Sequence, residues 1–279
     1  AILGLMWLKC LSVPHVFDQA IAMELQADGL FAGHTSPAYA NMVGPFGGIS
    51  AAQMMNAVLL HPDRLGEPVS LTINFAAALA PGPFVVSARA VRTNRSTQHW
   101  IVEVLQGGET VLTGTVFTAL RRETWSVDEE AMPKVPAPDQ VSNGQGPMPM
   151  EWVKRYDMRP VSGGMPTVWD GQGEHSLTQL WVRDNPPRPL DFASLTALAD
   201  VFFPRVFVRR ATLVPVGTVT MTVYFHADST QLQASGTSFL LAQAQAQAFR
   251  NGYFDHTAQL WNEAGVLLAT THQVVYYKS

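Results

Sequence analysis

Apolar positions along the chain change period several times, and each change marks an element. Phe192, Leu195, Ala199 and Phe202 recur at spacings of three, four and three. That spacing predicts a helix over 191–203, with Asp191 as its N-cap acceptor and Pro204 closing it. Residues 47–60 contain no charge and open on Gly47-Gly48, which predicts a second, buried helix. Residues 69–76 alternate as a strand, and strands follow at 84–93, 98–105 and 110–120, with a Gly107-Gly108 hairpin turn. Residues 16–31 alternate roughly and predict two antiparallel strands before the turn-rich Gly33-His34-Thr35-Ser36-Pro37.

A Pro- and Gly-rich stretch over 123–150 reads as a surface linker, and beyond it the order repeats. Strand patterns at 152–161 and 176–184 lead into the 191–203 helix; strands then follow at 219–226, 239–249, 255–262 and 266–277. The parity of Val69, Leu71, Ile73 and Phe75 returns as Val219, Met221, Val223 and Phe225. An internal duplication is the simplest account. It divides the chain into an N-terminal unit over 13–122, the linker 123–150 and a C-terminal unit over 151–279, each an α+β unit of antiparallel sheet around one long helix.

Within the 191–203 helix, Asp200 is the one charge besides Asp191. It lies near the helix end, where the macrodipole opposes an acid, on a helix apolar or small nearly all round. A carboxylate in that wrap destabilises the fold unless something satisfies it or uses it.

Charged residues make up 14% of the chain, against about 25% in typical soluble domains, so a domain contact or partner subunit is expected to cover surface. Net charge is −4 and no Lys/Arg run occurs, which argues against nucleic acid and against membrane binding. The single cysteine, Cys10, permits no intrachain disulfide. Residues 1–11 are apolar, too short to span a bilayer and without a basic leading region, and receive no assignment; a cytoplasmic location is expected. The eight histidines show no metal spacing, so neither metal nor cofactor is expected. Ser50 misses G-x-S-x-G by its last residue, and the Gly-rich helix start lacks the Lys-Ser/Thr of a P-loop.

Four stretches together carry a resemblance: Gly44-Pro45-Phe46-Gly47-Gly48, Ala199-Asp200, Tyr224-Phe225-His226 after Thr218, and Gly265-Val266-Leu267-Leu268-Ala269-Thr270-Thr271-His272-Gln273. In this order and spacing the chain, over most of 13–278, resembles the double-hotdog acyl-CoA thioesterases of the acyl-CoA thioesterase II type. The resemblance implies a tandem hotdog fold, an acyl-CoA substrate, and a water held by Asp200, Thr218 and Gln273 as the catalytic set. That chemistry is sensible: a thioester carbonyl is already electrophilic, so an oriented, partly deprotonated water suffices. Backbone N–H groups at Gly47-Gly48, or after Asp191, are candidates to polarise the carbonyl. Arg205, Arg209 and Arg210 are candidates to meet coenzyme A phosphates.

The duplication offers an internal control. It sets Asn56 against Asp200, Pro68 against Thr218 and Phe117 against Gln273, so the first half lacks the catalytic set. Thr218 shares the outward parity of Thr220 and Thr222, and a bulge at Gly217 would be needed to re-aim it. A hotdog hydratase is disfavoured, because the histidine following Asp200 most closely is His226. A non-catalytic acyl-CoA or lipid-binding protein would not need the set. Low charge further suggests a homo-oligomer paired through sheet edges.

Overall fold

The computed structural model describes residues 13–144 and 148–278; the stretch 1–11 lies outside them. In chain order the elements are α1 (Val16–Ile21), β1 (Glu24–Ala27), β2 (Leu30–His34), α2 (Gly47–Leu60), β3 (Glu67–Phe75), β4 (Pro83–Thr93), β5 (Thr97–Gln106) and β6 (Glu109–Ala119). Then come β7 (Tyr156–Ser162), β8 (Thr178–Asp184), α3 (Phe192–Leu198), α4 (Arg205–Arg210), β9 (Val216–Phe225), α5 (Ser229–Ser235), β10 (Leu240–Gln245), β11 (Phe249–Arg250), β12 (Tyr253–Asn262) and β13 (Leu267–Tyr277).

One antiparallel sheet runs β1-β2-β4-β5-β6-β3-β9-β13-β12-β10-β8-β7, with β11 beside β12. The second six strands of that order repeat the first six in reverse, so the halves meet at β3–β9. Thr72 pairs with Thr222 at the centre of the seam, and their hydroxyls lie 3.0 Å apart. This places a pseudo-two-fold axis between two identical residues. Each half also carries the same bulge: the β3–β6 register shifts between Pro68 and Ser70, and the β9–β13 register between Val274 and Val275. Both sheet ends are blunted. β1 is four exposed residues with a shift between Leu25 and Ala27, and β7 breaks register after Pro160, which has no N–H to donate.

Helices α2 and α3 pack against each other on the inner face, with the core between them and the sheet. The close approach falls at Gly48, where a Cβ would stand 2.6 Å from the Ala197 carbonyl oxygen. Together the layers form the tandem hotdog expected from the resemblance. The linker lies across the outer face of the second half: Trp181 Nε1 donates to Pro136 O at 2.8 Å and Trp261 Nε1 to Glu130 O at 3.2 Å.

Several elements differ from the sequence expectation: the start of the expected strand 152–161 is a 3-10 turn over Glu151–Arg155, and the expected strand 239–249 breaks after Gln245. Residues 16–21 form α1 rather than a strand, because Phe17, Ala20 and Ile21 reach the core at helical spacing and the His15 ring accepts from Phe17 N. The second-half helix is not one long helix: α3 ends at Leu198, and Asp200 N and Val201 N turn back to Ala197 O and Leu198 O, tightening the chain out of α geometry. Pro204 then holds Phe203 away from helical backbone before α4 begins. Helix α5 was not foreseen, although Asp228 and Gln231 form a capping box that announces it.

Candidate active site

Asp200 sits in the turn just past α3, and this break lets its side chain lean toward the start of α2. Its Oδ1 accepts from Gln273 Nε2 at 2.7 Å, and the Gly48 backbone N–H donates to the same carboxylate. A Cβ on Gly47 would come within 2.7 Å of Asp200 Oδ2, so this close approach requires glycine. Burial pushes the Asp200 carboxyl up to about 7, and the two hydrogen bonds pull against that rise. A second buried acid, Asp184, is pushed to about 6, but it accepts from Ser194 Oγ at 2.5 Å inside the core. The partners of Asp200, rather than its burial alone, distinguish it.

Gln273 is 2% exposed on β13 and faces inward, because residues 271, 273 and 275 share the buried parity. Its partner across β9 is Met221, and across β12 it is His256. Thr218 reaches the same face through the bulge. The extra residue is Val219, not Gly217, and it sets Thr218 opposite the buried Val275. The Thr218 hydroxyl has no hydrogen-bond partner among the described residues. The sheet thus gathers Asp200 and Gln273 into contact, and register brings Thr218 to the inner face of the neighbouring strand.

The internal control also shifts by one residue. Met221 corresponds to Leu71, which pairs with Val116, so Val116 rather than Phe117 is the counterpart of Gln273. Phe117 has the opposite parity and lies beside the exposed His99. Two adjacent apolar residues late in a strand leave this register ambiguous until pairing fixes it.

Two expectations for carbonyl polarisation change. The Gly48 N–H is engaged by Asp200, and Ser194 N–H is engaged by its own N-cap Asp191 at 2.8 Å. Arg205 does not reach solvent. Its guanidinium donates to Ser176 O at 2.8 Å, Thr178 Oγ1 at 2.6 Å and Phe203 O, which fixes α4 against β8. Burial with no acid beside it lowers its pKa to about 9. Arg209 and Arg210, in contrast, line a cleft of about 680 Å³ with His175 and Arg250.

Sequence reasoning passed over His256 and Thr271. Both lie on the inner face beside Gln273, and the strand parity of 254/256/258 and 271/273/275 was the signal that places them there. Among the described residues, no group of three or more His, Cys, Asp or Glu could hold a metal ion, and no helix is long and apolar enough to cross a membrane.

Residues 36–119 match the family model of the acyl-CoA thioesterase N-terminal domain, and residues 129–277 that of the acyl-CoA thioesterase C-terminal domain. No curated protein matches the chain. Among solved structures, a conserved hot dog fold protein of unknown function from Alicyclobacillus acidocaldarius is 47% identical, with a TM-score of 0.91 over 96% of this chain and 99% of that one. The acyl-CoA thioesterase II TesB2 from Mycobacterium marinum shares the fold at 18% identity, with a TM-score of 0.75 over 94% of this chain and 98% of that one. Two domain matches in the right order, on a duplicated hotdog sheet, place this chain in the acyl-CoA thioesterase family.

Proposed function

We propose that the protein hydrolyses acyl-CoA to a free carboxylic acid and coenzyme A by direct attack of water, with Asp200 as general base. The observation that carries this reading is a half-buried carboxylate, raised to about 7, held between Gln273 and the first turn of α2. A base with a pKa near the operating pH combines a large ionised fraction with a strong pull on a proton. Water oxygen adds to the thioester carbon while its proton passes to Asp200. The tetrahedral intermediate then expels the thiolate as the C–S bond breaks, and protonated Asp200 returns its proton to the sulfur. Gln273 keeps the carboxylate oriented, and Thr218, aimed inward by the bulge, holds the water from a second side.

The test is thiol release from a panel of acyl-CoAs of increasing chain length, with wild type and Asp200→Asn. Hydrolysis is expected in the wild type and a loss of at least ~100-fold in the variant, with the fold intact by circular dichroism. Near-normal turnover by Asp200→Asn removes Asp200 from the chemistry. A folded wild type inert on every thioester supports the binding-protein reading instead.

A further inference from the structure

Beside the Asp200–Gln273 pair stand two polar atoms that nothing in the proposed reaction has engaged. His256 is 3% exposed and Thr271 4% exposed, and neither His256 Nε2 nor Thr271 Oγ1 has a hydrogen-bond partner among the described residues. A buried polar atom left unpaired destabilises a fold by about 1–3 kcal/mol, so two together need a reason. Both flank Gln273 on the inner face. His256 is its cross-strand partner, and Thr271 lies two residues earlier on the same strand. Opposed side chains in an antiparallel pair have Cβ atoms ~5 Å apart, within reach of one small rotation.

The amide of Gln273 has two ends. Its Nε2 donates to Asp200 Oδ1 at 2.7 Å and to Met221 Sδ at 3.4 Å, while its oxygen accepts from no group among the described residues. An amide held only at its nitrogen can turn over, and its oxygen would then face the carboxylate and repel it. A donor on the oxygen prevents that, and a neutral imidazole N–H or a hydroxyl supplies one. Burial, together with the charges of Arg205 on α4 and of His272 on β13, keeps the His256 imidazole below its usual range and therefore neutral. The Phe202 ring packs edge-on against it, with ring centroids 5.3 Å apart.

The first half supplies the comparison. By sheet register the counterparts of His256, Thr271 and Gln273 are Trp100, Gly114 and Val116. None of these three has a polar side-chain group placed to hold an amide, and Trp100 Nε1 is engaged by Thr118 Oγ1 at 3.2 Å. His256 and Thr271 are therefore polar in the same half, and only where Gln273 is present.

We infer that His256 is a positioning residue for the hydrolysis proposed above, on which this role rests: its imidazole N–H, seconded by the Thr271 hydroxyl, holds the amide oxygen of Gln273 so that the amide NH2 stays on Asp200.

The experiment pairs steady-state kinetics with ¹³C NMR titration of the Asp200 carboxyl in wild type, His256→Val and His256→Gln. The valine variant is expected to lose ~10-fold in kcat with KM within ~2-fold, and to raise the Asp200 carboxyl pKa by ~0.5 unit, because its ionised form loses a fixed donor. His256→Gln, which keeps an N–H donor, is expected to restore both. A folded valine variant with unchanged kcat and unchanged carboxyl pKa overturns the inference, as does a loss that glutamine fails to restore. If the valine variant does not fold, Thr271→Val carries the test: a raised carboxyl pKa supports the role, and an unmoved one overturns it. Should the wild type hydrolyse no thioester while the carboxyl pKa still moves, the positioning holds and the reaction assigned above is what fails.

Discussion

Asp200 carries opposite consequences for activity and for stability. Its carboxyl is raised to about 7 in the folded state, against about 3.9 in an unfolded chain. A folded-state pKa above the unfolded one means that the native protein binds this proton more tightly. The associated stability is fully present below about pH 4 and is lost as pH rises to about 7. Over that window the loss is at most ~4 kcal/mol and, because the side chain keeps some contact with solvent, closer to ~1–3 kcal/mol. Asp200→Asn removes the term while its amide oxygen still accepts from Gln273 or Gly48. The variant is therefore expected to gain stability over wild type progressively from pH 4 to pH 7, with a constant advantage above. Denaturant midpoints at several pH values check this, and a difference that stays flat from pH 4 to 8 contradicts it. Wild-type kcat/KM should rise through the same pH region, since only the ionised base accepts a proton. Asp200 was legible in the sequence as an acid in an apolar wrap. His256 was not, because nothing local distinguishes a core histidine from one set against an amide on the next strand.

At the scale of elements, α4 does two jobs that residue counting merged. Its buried Arg205 locks the helix to β8, while Arg209 and Arg210 face outward into the cleft. Arg209 follows Arg205 at i+4 on the same side of the helix, so it is the ~6 Å rise along the axis that carries the outer pair from the buried start of α4 to its exposed end. Arg209 is partly engaged by Gly173 O, whereas Arg210 and Arg250 are exposed and have no carboxylate partner among the described residues. The lining of the cleft contains no acid side chain, so an anion is favoured there. If the phosphates of coenzyme A occupy it, the double variant Arg210→Ala/Arg250→Ala should raise KM for acyl-CoA by ~10-fold with kcat little changed, a modest effect suited to exposed charges. The same variant should act normally on an acyl-pantetheine thioester, which has no phosphate to lose. Equal losses on both substrates would place the nucleotide elsewhere. The helix break after Leu198 escaped the sequence because the periodicity of 191–203 continues through it. Only the turn-type bonds at Asp200 and Val201 show where the helix stops.

At the scale of the whole molecule, duplication creates two equivalent helix junctions, of which one holds the Asp200–Gln273 pair. Two copies of one unit share a seam at Thr72–Thr222 and bring two helices into contact. Each helix start then faces the other helix's end. At one such junction Asp200 meets Gly47 and Gly48. At the other, Asn56 donates to Ile21 O and lines a pocket with Asp191 and Phe192. A carboxylate at the Asn56 junction would lack both the glycine approach and the inner-face amide, since Val116 stands where Gln273 stands in the second half. The alternation that reveals this repeat is legible because side-chain parity is set by the pleat, whereas a bulge at Gly217 would leave Thr218 facing outward; only an extra residue between Thr218 and Thr220, here Val219, turns it inward. The seam also sets how the chain must fold. Separated from its partner, residues 13–122 would expose the β3 edge across Ser70–Asn74 and uncover the α2 surface that packs on α3. An apolar helix with no polar face cannot be left in water. The isolated first half is accordingly expected to aggregate or to show no cooperative unfolding, whereas co-expression with residues 123–279 should recover a soluble pair with thioester hydrolysis. Size-exclusion chromatography and thermal melts decide it: a soluble, cooperatively melting first half on its own would show that the two units are independent domains.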